Sequence, residues 1–174
     1  MGPTTSAPPT ESELDSSDSA RMAVANRLFF RLYQCANMLH KTGSRALESE
    51  GLTTQQWAVL GALSRPEAAD GMTVNELARY LMVTRQNLSG VLQRMERSGH
   101  LIGAADQRDK RARRITLTPD GREVWDRRAL PLIQRYYARA TAGLSDDDLT
   151  HALHYLLALL DNMAAIDATP ETAP

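Results

Sequence analysis

The sequence predicts a mainly α-helical protein with one small β-hairpin, and three observations support this prediction. Apolar residues recur at helical spacing through most of the chain, two short amphipathic segments follow each other closely, and one stretch alternates apolar and polar residues beside a charged turn. At 174 residues the chain has the length of one ordinary domain, which is enough to bury a substantial core.

The two ends of the chain are predicted to lie outside the folded part. Residues 1–20 are rich in Pro, Ser, Thr and acidic side chains and hold few large apolar groups, so we expect a disordered tail. Residues 168–174 are expected to form a flexible C-terminus. No apolar stretch approaches the roughly 18 residues of a membrane-spanning helix, and the N-terminus lacks the pattern of a signal peptide. We therefore expect a cytoplasmic protein without a membrane partner.

The first two helices are predicted from apolar stripes and from the residues that end them. A long first helix is expected over roughly residues 20–48, with Gly51 closing it. Thr53 or Thr54 then caps a second helix, which ends at Pro66. The stripe of the first helix consists of Val24, Leu28, Leu32, Cys35 and Leu39.

The next two helices are short, and a tight break separates them. Thr73 and Glu76 have the spacing of a capping box, and apolar residues follow at positions i, i+3, i+4 and i+7. After a break at residues 82–84 the same apolar spacing returns, and Gly99 is placed to end the helix. These proportions are typical of a helix-turn-helix, in which the second helix can lie in the major groove of DNA.

The polar side of the second short helix is rich in groups that can recognise DNA. Arg, Gln and Asn pair bidentately with guanine or adenine edges, and small residues allow close approach. A helix that merely faces solvent would more often mix Glu with Lys at i, i+4, whereas Glu96 is the only acid here. The predicted DNA contacts in and next to this helix are Thr84, Arg85, Gln86, Asn87, Ser89, Gly90 and Arg94.

A β-hairpin with a basic tip, a wing, is predicted directly after this helix. Residues 101–103 are expected to start one strand, and residues 113–118 alternate with the period of a second strand. Arginine at such a tip can enter the minor groove of DNA. The alternative is a solvent-exposed hairpin in which Asp109 pairs with Arg111 across the turn. The predicted DNA contacts of the wing are Arg108, Lys110, Arg111 and Arg113.

The charge distribution supports the same interpretation. The net charge is only −1, but residues 79–114 hold nine Arg and Lys against three acids, an excess of six, which leaves −7 on the remaining 138 residues. A concentrated basic patch in an otherwise acidic chain is typical of a polyanion partner, because neutralised phosphates release counterions. Charge alone leaves a solvated charged face open as the alternative.

Two further helices complete the predicted fold. Thr118 caps the first of them, which Pro131 is expected to kink, and Ser145 caps the last. The last helix is apolar over an arc too wide for one core contact, which favours a homodimer over a broadly buried monomeric helix. The apolar residues of this arc include Leu156, Leu157, Leu159 and Leu160.

The segment 109–121, Asp-Lys-Arg-Ala-Arg-Arg-Ile-Thr-Leu-Thr-Pro-Asp-Gly, resembles the wing of the MarR family of winged helix-turn-helix transcriptional regulators. The resemblance covers the chain from about residue 22 to residue 166. It implies a homodimer that pairs through its N- and C-terminal helices, binds a pseudo-palindromic operator in double-stranded DNA, and usually represses until a small ligand or oxidant releases it. Residues 21–50 and 120–167 then form the helical dimerisation region, and residues 51–119 form the DNA-binding region.

The chain departs from the family pattern at the first wing strand. The family commonly places an Arg beside this strand, whereas here Gly103, Ala104 and Ala105 occupy the position. The departure puts the usual ion pairs at the wing root in question, although it leaves the prediction of DNA binding unchanged.

The resemblance also implies a small organic effector, which the family binds between the first, second and fifth helices and the wing domain. Segments 38–45 and 54–57 are similar to those of regulators of aromatic-acid catabolism, which respond to aromatic carboxylates or their coenzyme A (CoA) thioesters. We therefore expect a ligand-responsive repressor of an aromatic-compound catabolic operon.

The predicted lining of the effector site combines aromatic and basic side chains. The aromatic rings would stack on the effector, while His40 and Arg45 would hold its carboxylate or a thioester phosphate. Alternatively, the aromatic residues belong to the core and Arg45 faces solvent. The predicted lining is Tyr33, Asn37, His40, Arg45 and Trp57.

Other sensors and other functions compete with this interpretation. The single cysteine, Cys35, lies on an apolar stripe, which favours an ordinary buried thiol over a redox sensor. His151 and His154 stand three residues apart but lack the acidic or thiol neighbours of a metal site. No catalytic triad, carboxylate pair or phosphate-binding loop is evident, so neither an enzyme nor a cofactor is expected. A winged-helix protein–protein adaptor is the remaining alternative.

Overall fold

The computed structural model describes residues 11–106 and 109–169. The helices are α1 (Glu11–Ala46), α2 (Thr54–Ser64), α3 (Val74–Tyr80), α4 (Arg85–Arg97), α5 (Pro119–Glu123), α6 (Leu130–Ala140) and α7 (Asp146–Ala168), and the strands are β1 (Met72–Thr73), β2 (Leu101–Ala105) and β3 (Arg113–Leu117). Short 3₁₀ turns lie at Glu48–Glu50 and Pro66–Ala68, and a π-helical turn, Val124–Ala129, joins α5 to α6. The prediction of a mainly helical fold with a small β-wing is confirmed.

The chain divides into two compact units, Met1–Leu130 and Pro131–Pro174. The prediction from sequence instead grouped residues 120–130 with the last helices. These residues belong to the first unit because Val124 and Ala129 are buried there and Arg122 donates a hydrogen bond to the carbonyl oxygen of Ser64 at 3.0 Å.

Helix α1 begins at Glu11, inside the segment that was predicted to be a disordered tail. This corrects the prediction for residues 11–20. A helix that is already formed extends by one hydrogen bond per added residue, so a polar segment can join it without burying apolar surface. Residues 1–10 of the predicted tail, and residues 170–174 of the predicted flexible C-terminus, lie outside the described residues.

The helices begin where their capping residues predict. Each cap has an extended backbone, and its side chain accepts a hydrogen bond from the backbone N–H three residues later, which satisfies one of the free donors of the first turn. Of the two candidates for α2, the structure selects Thr53. The caps are Thr53, Thr73, Thr84, Thr118 and Ser145.

The sheet has three antiparallel strands in the order β1-β3-β2. Strands β2 and β3 form the predicted hairpin, with Leu101 opposite Leu117. Strand β1 was not predicted, since it has only two residues and pairs Met72 with Ile115. Gly71 precedes it with φ of +78°, and a Cβ there would lie 2.5 Å from the carbonyl oxygen of Ile115. The wing is thereby joined to the start of α3.

The core of the first unit lies where α2, the helix-turn-helix and the sheet meet. Leu60 and Leu63 of α2, Leu77 of α3, Met95 of α4 and Ile115 of β3 are at most 1% exposed. Burial of such side chains is the main favourable contribution to folding. It also holds one side of α4 against the rest of the unit and leaves the opposite side in solvent.

Pro131 was predicted to kink the fifth helix, and the structure shows a change of winding at this place. The six residues of the π-helical turn come directly before α6, whose second residue is Pro131. Proline has no N–H for the carbonyl four residues earlier, and a wider turn accommodates the missing bond. Helix α7 follows after a short turn, and no helix of the described residues has the length and hydropathy needed to cross a membrane.

Candidate nucleic-acid interface

Helix α4 exposes its polar side because its apolar side is packed into the core. Leu88, Val91 and Met95 are buried on that apolar side. The side chain of Thr84 accepts a hydrogen bond from the backbone N–H of Asn87 at 3.2 Å, which fixes the start of the helix. The predicted DNA contacts of α4 are therefore carried on a well-anchored element rather than on a loop.

The predicted contacts of α4 divide between its outward side and two flanks. With about 3.6 residues per turn, Gln86 and Gly90 lie outward, Asn87 and Arg94 on one flank, and Arg85 and Ser89 on the other. Gly90 is half-buried and the other five are exposed, as is Thr84. The Ser89 hydroxyl donates to the Arg85 carbonyl oxygen at 2.7 Å, and Arg85 Nη1 donates to Asn75 Oδ1 at 3.4 Å. The flank of Arg85 is thus partly engaged within the protein.

Two further residues of α4 belong to the outward side but were left out of the predicted contacts. Gln93 and Arg97 are exposed and follow Gln86 at i+7 and i+11, which places them on the same side of the helix. In the sequence, only the helical period indicates that Gln93 and Arg97 lie on the outward side. The outward side therefore consists of Gln86, Gly90, Gln93 and Arg97.

The root of the wing is held by an ion pair between Asp106 and Arg114. Asp106 is 4% exposed, and its Oδ2 accepts a hydrogen bond from Arg114 Nε. Arg114 Nη1 also donates to the carbonyl oxygen of Gly71 at 2.8 Å and lies 3.7 Å from Glu76 Oε2. The wing root therefore has ion pairs despite the alanines of β2, because the arginine comes from β3 instead.

A second ion pair joins the wing to α4. Arg113 binds Glu96 through two contacts, Nη2 to Oε1 at 2.7 Å and Nη1 to Oε2 at 3.1 Å. The guanidinium crosses β2 at Gly103, where a Cβ would lie 2.5 Å from Arg113 Nε. Arg113 was predicted to contact DNA. In the structure its guanidinium fastens β3 to α4, while its side chain remains 54% exposed.

The wing tip is shaped by hydrogen bonds to its backbone. Asp106 Oδ1 accepts from the N–H of Asp109, and Asp109 Oδ1 accepts from the N–H of Arg111, both at 2.9 Å. Asp109 thus holds the turn through the Arg111 backbone rather than through the predicted side-chain pair, a local turn that Asp favours. Lys110 and Arg111 are exposed at the tip, and the predicted contact Arg108 lies outside the described residues.

Two groups near this surface have shifted pKa values. The backbone N–H of Thr73 donates to Glu76 Oε2 at 2.7 Å and, with the Thr73 side chain, lowers the pKa of the Glu76 carboxyl; Arg114 acts in the same direction. Glu76 is therefore ionised at neutral pH, where it both caps α3 and faces Arg114. Burial lowers the pKa of His100, and the positive charge of Arg128 adds to the effect. The His100 ring is accordingly neutral at pH 7.

We predict that Arg111→Ala weakens binding to every DNA duplex by a similar factor, because an exposed tip arginine contacts phosphate or the minor groove rather than one base. The plot of log affinity against log salt should become shallower by about one for each Arg111 side chain that contacts DNA. Titrations by fluorescence anisotropy between about 50 and 200 mM salt measure both effects. Arg139→Ala, an exposed arginine of α6, is the matched control. An unchanged salt slope for Arg111→Ala would refute the assignment of the wing.

A cavity of about 250 Å³ opens between α1, α2 and the helix-turn-helix. Of the five residues predicted to line an effector site, only His40 borders it. Tyr33, Asn37 and Arg45 are exposed elsewhere on α1, and Trp57 packs against Gly43, where a Cβ would lie 3.0 Å from its ring. The cavity is lined by Leu39, His40, Thr54, Gln55, Ala58, Val59, Leu81, Val83, Asn87, Leu88 and Val91.

The residues considered for redox or metal sensing are exposed. Cys35 was expected to be buried on the apolar stripe of α1, but it is exposed because this part of α1 has few neighbours within the chain. His151 and His154 both contact the ring of Tyr155, at centroid distances of 6.5 and 5.5 Å. Within residues 11–106 and 109–169, no group of three His, Cys, Asp or Glu is arranged to hold a metal ion.

Known proteins resemble this chain over most of its length. The sequence model of the MarR family matches residues 50–112. The chain is 61% identical to the transcriptional activatory protein BadR of Rhodopseudomonas palustris, over 91% of this chain and 92% of that protein. It is 30% identical to the homoprotocatechuate degradative operon repressor of Escherichia coli, over 65% of this chain and 76% of that protein. The M. tuberculosis transcriptional regulator MOSR, solved in complex with DNA, aligns with a TM-score of 0.66 at 29% identity, covering 80% and 97% of the two chains.

Proposed function

The chain belongs to the MarR family of DNA-binding transcriptional regulators, and we propose that it binds a pseudo-palindromic operator as a homodimer and controls an aromatic-compound catabolic operon in response to an aromatic acid. The observation that carries the proposal is the exposed Gln- and Arg-rich side of α4, which the Glu96–Arg113 pair holds beside the basic wing. One rigid unit can then contact base edges in the major groove and the adjacent DNA backbone or minor groove.

The proposed DNA contacts follow from exposure. Side chains of the outward side of α4 contact base edges, those on its flanks contact bases or phosphates, and those of the wing tip contact phosphates or the minor groove. Arg113 is left out because Glu96 holds it. The proposed contacts are Thr84, Arg85, Gln86, Asn87, Ser89, Gly90, Gln93, Arg94, Arg97, Lys110 and Arg111, together with Arg108 from the sequence.

Exposed apolar surface on α1 and α7 supports the homodimer. Helix α7 has 23 residues, and none of them is buried within the single chain. Soluble monomers rarely expose long apolar faces, and a second copy related by a two-fold axis would cover them while supplying a second α4 for the other half-site. The exposed apolar residues include Met22, Val24, Leu28, Phe29 and Phe30 of α1 and Leu149, Leu153, Leu156, Leu157, Leu160 and Met163 of α7.

The name of one relative supports control of aromatic catabolism, and the names of two relatives differ in the direction of control. The Escherichia coli relative is named a repressor of a homoprotocatechuate degradative operon, and homoprotocatechuate is an aromatic acid. The Rhodopseudomonas relative, at 61% identity, is named an activator. A bound dimer blocks or assists RNA polymerase according to where its operator lies relative to the promoter. We therefore propose that occupancy of the operator controls transcription. The position of the operator relative to the promoter then determines whether the bound protein activates or represses.

The cavity beside α4 supports an aromatic acid as the effector. Its volume of about 250 Å³ is below the range of drug-sized ligand sites, which suits one aromatic ring better than a complete CoA thioester. Most of the lining is apolar, and its polar groups are few, as in sites that orient a ligand by one polar substituent. We therefore propose the free aromatic acid, with His40 among its contacts.

Selection of DNA followed by titration of effectors tests the proposal. The wild-type protein should enrich a two-fold symmetric sequence from a random duplex library, with affinity that falls steeply as salt rises. At least one of benzoate, 4-hydroxybenzoate, phenylacetate and 3,4-dihydroxyphenylacetate should then change operator affinity by a factor of about 5 to 150.

Cyclohexanecarboxylate is the matched control, because it has the charge and approximate size of benzoate without an aromatic ring. Failure to enrich any duplex would contradict DNA binding and favour an adaptor. If an operator is enriched but none of the four aromatic acids changes the affinity for it, the proposed effector class is contradicted and DNA binding stands.

A further inference from the structure

The side chain of Asn87 belongs to two surfaces at once. It is exposed in the first turn of α4, on a flank of the proposed DNA-binding surface, and it also borders the cavity between α1, α2 and the helix-turn-helix. Gln86, its neighbour on the outward side, does not border the cavity. We propose that the amide of Asn87 binds either a DNA base or the carboxylate of an aromatic acid in the cavity, so that the two ligands compete for one side chain. The inference rests on the proposed function and adds to it the means by which effector and operator are coupled.

The cavity has a mainly apolar floor, and polar groups stand among the exposed residues at its mouth. Val59, Leu88 and Val91 are buried along the floor, whereas His40, Gln55 and Asn87 are exposed at the mouth beside the apolar Leu39 and Val83. An aromatic ring gains from leaving water, whereas burying a carboxylate away from donors is costly. A bound aromatic acid therefore directs its ring to the floor and its carboxylate to the mouth, where the Asn87 amide can donate.

His40 provides a second donor at the mouth. Its Nδ1 lies 2.7 Å from the hydroxyl of Thr54, which is itself buried. When the Thr54 hydroxyl donates to Nδ1, the ring proton lies on Nε2, which can donate to a carboxylate. Thr54 thus orients the His40 ring, and the donors at the mouth come from α1 on one side and from α4 on the other.

Competition for the amide follows from its small number of donors. Recognition of adenine by asparagine needs both a donor and an acceptor of the amide in one orientation. A carboxylate at the mouth needs the same NH₂ group in another orientation. By linkage, the effector must then weaken operator binding by the same factor by which the operator weakens effector binding.

Two alanine variants of adjacent residues separate this role from DNA binding alone. The full-length wild-type, Asn87→Ala and Gln86→Ala proteins are titrated by calorimetry with whichever of the four aromatic acids binds the wild type most tightly, without DNA. Operator affinity is then measured with and without that acid. The side chain of Asn87 takes no part in capping α4, since Thr84 bonds its backbone N–H, so both variants should fold, which thermal melts check.

We expect both variants to bind the operator more weakly than the wild type. Only Asn87→Ala should also bind the aromatic acid more weakly, by about tenfold or more, as expected for loss of a hydrogen bond to a charged group. The acid should still shift operator affinity in Gln86→Ala and should shift it less than about twofold in Asn87→Ala. If Asn87→Ala binds the acid like the wild type and still responds to it on DNA, the inference is overturned and the proposed function stands. If the wild type binds none of the four acids, the inference and the proposed effector class fail together.

Discussion

A double substitution on α7, Leu153→Glu with Leu156→Glu, should convert the proposed dimer to monomers and weaken operator binding by about a hundredfold or more. Both leucines are exposed within the single chain, at 58% and 48%, so the charges should leave the fold of the chain intact. In the proposed interface the same charges would be buried without partners, and their desolvation opposes association. Two linked half-site contacts gain a factor of about 10² to 10⁴ over one, and a monomer loses this gain.

Sedimentation velocity and operator titration measure the two consequences separately. The matched control is His151→Glu with Asn162→Glu, which adds two acidic residues to the opposite side of α7. If the leucine variant remains a dimer, α7 is not part of the dimer interface. A monomeric variant with wild-type operator affinity would show that DNA binding does not depend on two-fold pairing.

The variant Asp106→Ala should release the wing from its root. The substitution removes a carboxylate that is 4% exposed and leaves Arg114 without its closest acidic partner. Breaking a buried ion pair from one side typically costs about 3 to 5 kcal/mol. Because the Arg114 side chain is 26% exposed and keeps the Gly71 carbonyl oxygen, we expect about 3 kcal/mol, the lower end of this range.

The effect on the wing should exceed the effect on the rest of the fold. The N–H of Asp109 also loses its acceptor, so the tip that carries Lys110 and Arg111 should become less ordered and bind every duplex more weakly. Denaturant melts, amide hydrogen exchange of the wing and operator titration measure the three consequences. Asp106→Asn keeps a hydrogen-bond acceptor, so it should lose less stability and less DNA affinity than Asp106→Ala. Asp126→Ala, which removes an exposed acid, is the control. Wild-type exchange rates in the wing of Asp106→Ala would contradict the role of this ion pair.

Local signals carried much of the fold prediction. A cap acts on a backbone N–H three residues away, and an apolar stripe repeats within one or two turns, so the starts of α2, α3 and α7 can be recognised from neighbouring residues. The second wing strand was recognised from its period of two, and the start of the first from the run Leu101-Ile102-Gly103 that follows α4. The start of α1 was missed because a polar segment can extend an existing helix without any apolar pattern of its own.

Contacts between distant residues decided the details of the site. The ion pair of Glu96 with Arg113 spans 17 positions, and the bond from Arg114 to the Gly71 carbonyl oxygen spans 43. From sequence, Arg113 is one more basic residue of the wing, and only the tertiary structure shows that it pairs with Glu96. The effector lining was predicted from four residues of α1 and Trp57 of α2, whereas the cavity combines one turn of α1 with other residues of α2 and the start of α4.

The sequence by itself determined the order of the helices, the helix-turn-helix, the wing and the basic surface, since these depend on interactions between residues close together along the chain. Only the tertiary structure decided which arginine braces the wing, where a cavity opens, and that Asn87 borders both the cavity and the DNA-binding side of α4. The physical reason is that an ion pair or a cavity wall depends on distances through space, which the packing of whole helices sets and which no local pattern contains.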